Sequence, residues 1–385
     1  MTHDELDILC QPKVSALIEE NISHSPTDVA LRLHSPHRAL IATQIKYLQR
    51  AQSKLPDYYN ARCIIPDLAF EQSSSQVVAA TKRHTGGIAI DLTCGLGVDS
   101  LSLSRRFQKV ISIERNPVLA RLAKENFKRL GVSNIEVVCA DATEYISNYT
   151  DRVDLIYADP DRRATDGRKL VLLEECSPNI LAMRNRLEEI APRIVIKLSP
   201  MFDTTEALRH FAPCCIEAIS DGGECKELVV EFGQAVTTNE FRATIADSTS
   251  QVITPQGLMR HGNFTPEQYR YLILSDVALR KIGLAVDYLA DKVDFVASPT
   301  GYAFSANAFA NDLCRVFEIE SIEPYSPKEL KRNLKTEGVK RIDILKRDFR
   351  IAAADIARAL GVNEGGKRAI AFTEIDGQMW QIKLK

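Results

Sequence analysis

No apolar stretch in this chain of 385 residues approaches the roughly 18 residues needed to cross a bilayer. The opening residues, Met1-Thr2-His3-Asp4-Glu5, lack a basic region followed by an apolar core, so nothing argues for secretion. Nine cysteines and seven histidines are present, yet there is no Cys-x-x-Cys, no His-x-x-x-His and no His/Cys cluster at metal-ligand spacing. An odd, scattered set of cysteines argues against a disulfide framework or a structural zinc. It argues for buried free thiols in a reducing, cytoplasmic setting with no metal, and Cys214-Cys215 reads as the start of a buried strand. An excess of one charge is also lacking. The 49 basic and 51 acidic side chains leave a formal charge of -2, so any nucleic-acid binding must come from a local patch. No internal repeat is visible. Hydrophobic residues at 45% and charged residues at 26% exclude a disordered or collagenous chain. The length predicts more than one folding unit.

Residues 1–75 read as a helical N-terminal region. Ser25-Pro26-Thr27-Asp28 has a cap residue, proline at the first helical position and an acid three residues after the cap. From His37 to Ser53, Leu40, Ile41, Ile45 and Leu48 fall at helical spacing with Gln44, Lys46 and Arg50 between them. That amphipathic face is expected against a neighbouring domain rather than a membrane. Residues 76–235 alternate short aliphatic runs with helical segments. The runs are Ile88–Leu92, Val110–Glu114, Ile135–Val138, Leu155–Ala158, Ile194–Leu198, Cys215–Ser220 and Leu228–Phe232. This predicts an α/β fold, a Rossmann-like, seven-stranded doubly wound sheet. Only Asp221-Gly222-Gly223-Glu224-Cys225 separates the last two runs, too short for a crossover helix, so the last hairpin is antiparallel. Residues 236–315 read as a small α/β domain, with a helix opening at Thr265-Pro266-Glu267 toward Tyr288 and short strands within Asp291–Phe304. Residues 316–385 read as α+β. They hold a second capping box at Ser326-Pro327-Lys328-Glu329, a strand Val339–Leu345, a helix Ala352–Leu360 stopped by Gly361, and a hairpin about Asp376-Gly377.

Chemistry concentrates in Ala89-Ile90-Asp91-Leu92-Thr93-Cys94-Gly95-Leu96-Gly97, where a hydrophobic strand runs into an acid and a Gly-x-Gly turn that opens a helix. The glycines let the backbone approach a ligand, though such a turn alone also fits a tight turn without one. Glu114 ends the next strand, where a carboxylate can accept both ribose hydroxyls, and Asp141 follows the third, where it could meet an adenine amino group. Ser100 stands where a third glycine would complete a dinucleotide fingerprint, which argues for an adenosyl ligand without phosphates. The fourth strand ends in Tyr157-Ala158-Asp159-Pro160-Asp161-Arg162-Arg163. Paired arginines there suit a phosphate or carboxylate, or equally a charge-balanced loop with Asp159, Asp161 and Asp166. Lys197 and Ser199 close the fifth strand on the same rim and are candidates for the substrate side, although a rim lysine also fits simple solvation.

Residues 88–160 resemble a class I S-adenosylmethionine-dependent methyltransferase, with that family's first motif at Asp91–Gly97 and its ribose and adenine acids at Glu114 and Asp141. The core also resembles trimethylguanosine-synthase-type RNA methyltransferases. The whole chain, including Glu71-Gln72-Ser73-Ser74-Ser75, resembles bacterial methyltransferases with a ferredoxin-like insert and a THUMP-like C-terminal domain. The resemblance implies S-adenosyl-L-methionine as cofactor, held by Asp91, Thr93, Cys94, Gly95, Gly97, Glu114, Arg115, Asp141 and Ala142. It also implies that Glu71–Ser75 folds over the methionine end. Amino-directed members carry Asp/Asn-Pro-Pro-aromatic after the fourth strand. Asp159 and Pro160 match as candidate catalytic residues; Asp161 and Arg162 depart from the pattern, so Asp159 could instead receive the methionine amino group or cap a loop.

Residues 328–350 carry nine basic against four acidic side chains, net +5 in a chain of net -2. Such a run fits a solvated face or contact with a phosphate backbone, and THUMP-type modules are associated with RNA. The expected function is therefore methyl transfer from S-adenosylmethionine to RNA, in line and without a metal. Methyl transfer to a small molecule or protein, or a non-catalytic RNA-binding protein retaining the fold, are the alternatives.

Overall fold

The computed structural model describes residues 1–161, 173–257 and 263–385. The chain divides into two compact units, residues 1–216 with 226–239 and residues 217–225 with 240–385. The helical residues before 75 and the strand–helix alternation after them share one unit, and the residues on both sides of 315 share the other.

Seven strands answer to the alternation read from the sequence: β1 (Gly86–Asp91), β2 (Phe107–Glu114), β3 (Ile135–Cys139), β4 (Leu155–Ala158), β5 (Ile194–Leu198), β6 (Cys214–Asp221) and β7 (Glu224–Phe232), of which β6 from Glu217 on and β7 up to Cys225 count with the second unit. They run in the order β3-β2-β1-β4-β5-β7-β6. Pairing is parallel between β1 and β2, β1 and β4, β2 and β3, and β4 and β5, and antiparallel between β5 and β7. All four residues of β4 are buried, as a strand covered on both faces requires. Gly222 and Gly223 turn β6 into β7, both with positive φ, the backbone a two-residue hairpin demands. All seven strands read from the sequence are present; β1, β2, β6 and β7 begin earlier than the aliphatic runs that signalled them. The order reverses between β1 and β4, which opens a crevice beyond their carboxyl ends.

The N-terminal helices pack on that end of the sheet. Helix Arg38–Lys54 buries Ile41, Ile45 and Leu48 in a core that also takes in Tyr58, Phe70, Leu96, Val98 and Phe127. Gln44, expected among the polar positions, is only 3% exposed. Its amide donates to the Cys63 carbonyl at 2.8 Å and accepts the Ile65 N–H at 3.1 Å. Asn126, on helix Pro117–Arg129, makes the same pair of bonds to Ile64 at 2.8 Å each. The buried extended segment 63–65 thus has a side-chain amide on each flank where a sheet would supply a neighbouring strand, satisfying polar groups that water cannot reach.

In the second unit a hairpin, β8 (Glu240–Ile245) and β9 (Thr249–Ile253), pairs antiparallel. A further sheet is built from β10 (Tyr271–Ser275), β11 (Phe295–Val296), β12 (Ala303–Ser305), β13 (Cys314–Pro324), β14 (Arg341–Lys346), β15 (Asn363–Ile375) and β16 (Gln378–Leu384), in the order β11-β12-β10-β13-β16-β15-β14. The expected boundary at 315 falls inside β13, which pairs with both β10 and β16. The expected helix from Thr265 toward Tyr288 is replaced by a single 3-10 turn at Pro266–Gln268, then β10, then helices Val277–Lys281 and Ala285–Leu289. Tyr271-Leu272-Ile273-Leu274-Ser275 is a short apolar run flanked on both edges by strands, and that pairing overrides the helix-start signal of Pro266. Helices Pro26–Arg32 and Pro327–Thr336 do begin on their prolines. Neither Ser25 nor Ser326 provides a side-chain cap, so the two expected capping boxes do not form. Asp376 and Gly377 make the hairpin turn between β15 and β16 with φ of 53° and 79°. Among the described residues no helix is long and apolar enough to cross a membrane.

Replacing Asn126 by alanine strands two buried backbone groups of Ile64, each costing about 1–3 kcal/mol. The Asn126→Ala variant is expected to lose at least about 2 kcal/mol, read as a lower urea midpoint; an unchanged midpoint contradicts the role given to this amide.

Candidate active site

The parallel strands hand over to turns whose first N–H groups have no partner in the sheet; carboxylates take them up after β1, β2 and β3, and hydroxyls after β4 and β5. At the end of β1, Asp91 Oδ1 accepts the Thr93 N–H at 2.9 Å while Oδ2 accepts the Ser100 hydroxyl at 2.5 Å. Ser112 on β2 donates in turn to Ser100 at 2.9 Å. At the end of β2, Glu114 accepts the Gly95 N–H and the Asn116 N–H, each at 2.8 Å. After β3, Asp141 Oδ1 caps helix Ala142–Asn148 through Thr143 and Glu144. After β4, the Asp159 N–H donates to the Thr93 hydroxyl at 2.7 Å, which ties the fourth-strand loop to the first-strand turn.

A cavity of about 1000 Å³ lies over these turns, wholly within the first unit. Its floor is Thr93–Asp99, Glu114–Asn116, Ala140–Ala142 and Asp159–Asp161, with Lys197 at one side. The N-terminal region supplies a wall from Pro66 to Ala69 and from Glu71 to Ser74. The two glycines of the turn have different duties. A Cβ on Gly95 would meet nothing nearer than the Thr93 carbonyl at 4.0 Å, so this position leaves its backbone open to a ligand. A Cβ on Gly97 would stand 2.5 Å from Phe127 Cζ, and its φ of 88° is one that side chains disfavour. Packing, not ligand approach, requires that glycine. Burial pushes Asp91 up to about 7 and the Cys94 thiol well above its ordinary range, so Cys94 is no activated nucleophile. Burial also raises Asp159, while Lys197 opposes it with its ammonium 2.5 Å from Oδ2.

Residues 89–176 match the family described as methyltransferase domain, and residues 314–383 the family described as THUMP domain-like. The first unit holds a class I methyltransferase domain. A protein from Porphyromonas gingivalis W83, described as a candidate methyltransferase, has a structure that superposes with a TM-score of 0.82 at 25% identity, covering 100% of this chain and 99% of its own. Two curated relatives match shorter stretches. Ribosomal RNA small subunit methyltransferase J of Coxiella burnetii is 31% identical over 133 residues, 30% of this chain and 52% of its own. An uncharacterized RNA methyltransferase of Thermosynechococcus vestitus is 34% identical over 93 residues, 24% of this chain and 21% of its own. The chain thus spans about half of one relative and a fifth of the other.

Within the methyltransferase domain the cavity brings together Thr93, Cys94, Gly95, Gly97, Glu114, Arg115, Asp141, Ala142, Asp159, Pro160 and Lys197 from the residues singled out by sequence. Two others lie elsewhere. Asp91 is fully buried and does not line the cavity; its carboxylate is spent on the turn. Ser199 is also buried and off the cavity, its hydroxyl accepting the Met201 N–H at 3.1 Å. Arg162 and Arg163 lie outside the described residues. Sequence reasoning missed Asp99 and Ser177, which line the cavity, and Lys82 and Glu227, which lie buried behind it. The signal for Glu227 was an acid at the edge of the apolar run Leu228-Val229-Val230, where a charge is costly unless paired.

The split between the glycines is testable. Gly97→Ala should lower stability by about 2–4 kcal/mol from clash and backbone strain together. Gly95→Ala should cost about 1–2 kcal/mol, from strain alone. Equal urea midpoints for the two variants would refute the division of roles.

Proposed function

We propose that this chain transfers a methyl group from S-adenosyl-L-methionine to RNA, with a base amine as the favoured acceptor. The observation that carries the reading is the pairing of Gly95 and Glu114 on the adjoining tips of β1 and β2, beside the reversal of strand order between β1 and β4. Glu114 spends one lone pair of each oxygen on backbone N–H groups, and each oxygen keeps capacity for a ribose hydroxyl. Asp141 uses only Oδ1 for its helix, which leaves Oδ2 for an adenine amino group. Among the described residues, Arg115 and Lys197 are the only cationic side chains on the lining, and neither belongs to the Gly95–Gly97 turn; the donor set suits an adenosyl group rather than a pyrophosphate. These residues fit the cofactor. When bound, it supplies a methyl group already activated by a sulfonium, so the protein's task is chiefly to hold a nucleophile in line.

Asp159 and Pro160 line the cavity beside this site. The Asp159 carboxylate would accept an N–H of the acceptor amine, orient its lone pair and offset the positive charge that develops on nitrogen. Thr93 fixes the backbone of Asp159, so the two halves of the site keep their spacing. RNA as the acceptor is supported by the RNA methyltransferases among the relatives and by the C-terminal segment. On helix Pro327–Thr336, Lys328, Lys331 and Lys335 recur at the spacing of one helix face, all three exposed. Arg341 is exposed beyond it, whereas Lys346 and Arg347 are half-buried.

Three experiments test the reading. Glu114→Ala should weaken S-adenosyl-L-homocysteine binding, measured by calorimetry, at least about tenfold. Asp159→Asn should keep that affinity and lose transfer of labelled methyl groups to total RNA. Unchanged affinity in the first variant, or full activity in the second, would sink the corresponding role. For RNA, replacing Lys328, Lys331 and Lys335 together by glutamine should flatten the dependence of log affinity on log salt by about 0.7–0.9 for each phosphate no longer neutralised. A slope that stays put would instead favour a small-molecule or protein acceptor.

A further inference from the structure

Behind the cavity lies a run of buried charge that the mechanism above leaves unused. Lys82, 5% exposed, places its ammonium 2.6 Å from Asp99 Oδ1 and 3.3 Å from Glu227 Oε2. It also stands 5.4 Å from the centre of the Tyr157 ring. Glu227, 2% exposed, accepts the Ser74 hydroxyl on Oε1 at 2.5 Å. The Lys197 ammonium donates to Ser74 Oγ at 3.1 Å, lies 3.7 Å from Glu227 Oε1, and reaches Asp159 Oδ2 at 2.5 Å. Two ammonium groups and three carboxylates therefore form one connected chain that ends on Asp159.

We propose that Lys197 is a positioning residue for Asp159: it clamps one carboxylate oxygen and keeps the group ionised, leaving Oδ1 to take the acceptor. This rests on the methyltransferase reading above and replaces the idea that Lys197 meets substrate directly. An ammonium has three donors, and here three oxygens, on Asp159, Ser74 and Glu227, already surround it. A long flexible lysine would be a poor clamp by itself, but Ser74 and Glu227 hold its tip as well. Glu227 is held by Lys82, and Lys82 by Asp99. The charge matters because a carboxylate inside a cavity drifts toward its neutral form unless a cation stands beside it. A neutral Asp159 would donate a proton where the reaction needs an acceptor. Among the described residues, the other charged or titratable groups facing this pair are Asp91, Asp99, Glu227 and Tyr157 around Asp159, and Lys82 and Lys54 around Lys197. Burial works against the charge on Lys197, yet its three carboxylate neighbours outweigh it and raise its pKa. It therefore stays charged while Asp159 titrates.

The test follows the Asp159 carboxyl carbon by NMR in protein labelled with carboxyl-¹³C aspartate, assigned by its loss in Asp159→Asn. Lys197→Met should raise the Asp159 midpoint by at least about one pH unit, the effect of losing an adjacent cation. Lys197→Arg should restore it toward wild type. Affinity for S-adenosyl-L-homocysteine should stay within about twofold in the methionine variant, because Lys197 is not assigned to the cofactor. Removing one partner of a buried pair can prevent folding, so Lys197→Met in a Glu227→Gln background provides a charge-balanced second variant, with the upward shift expected relative to Glu227→Gln alone, because Glu227 itself raises Asp159. A folded Lys197→Met variant whose Asp159 titrates as in its parent, wild type or Glu227→Gln, overturns the positioning role. Wild-type protein that fails to bind S-adenosyl-L-homocysteine overturns instead the reading on which the role rests, so the two failures are told apart by titration and by calorimetry.

Discussion

Parallel strands end abruptly, and the turns that follow them expose N–H groups that the sheet cannot pair. After β1, β2 and β3 that shortage is met by side-chain carboxylates at the strand tips, and the site is a consequence of how they are spent. Asp91 serves Thr93 and Ser100, Glu114 serves Gly95 and Asn116, and Asp141 serves the first turn of its helix. Each of these bonds fixes a piece of the cavity floor. Because Glu114 and Asp141 keep acceptor capacity after meeting the local demand, the groups that build the floor are also those that can hold an adenosine.

The N-terminal helices complete that arrangement from the other side. Gln44 and Asn126 hold the 63–65 segment between them, and the Tyr58 hydroxyl donates to the Leu96 carbonyl inside the glycine turn at 3.0 Å. Phe127 presses on Gly97 from helix Pro117–Arg129. The turn is thus held by a carboxylate on its cavity side and by packed rings on its core side. Ser74, at the end of the N-terminal wall, joins the buried charges that reach Asp159. The region before residue 75 is part of the site's construction rather than an appendage.

Local signals in the sequence were informative and distant ones were not. The strand runs, the Gly-x-Gly turn and the acids after β1, β2 and β3 could all be read because each depends on neighbours within a few residues. That Asp91 holds a turn while Glu114 faces the cavity could not be read, since both are acids at strand ends and only the fold separates their surroundings. Gln44 looked like one more polar position on an amphipathic helix; its partners, Cys63 and Ile65, lie about twenty residues away. Pro266 suggested a helix start, but the tyrosine-led apolar run after it found strands on both sides. The role of Lys197 depends on residues 74, 159 and 227, brought together only by the sheet and the N-terminal wall, and no spacing rule links such positions.

A cavity floor held by Glu114 and the glycine turn carries the whole functional reading. The most direct measurement is a crystal structure with S-adenosyl-L-homocysteine bound. Glu114 should still accept the Gly95 N–H while taking the ribose hydroxyls, with the 93–97 backbone displaced by less than about 1 Å. Glu114 turned away from Gly95, a rebuilt turn, or a nucleoside lodged elsewhere on the chain would contradict it.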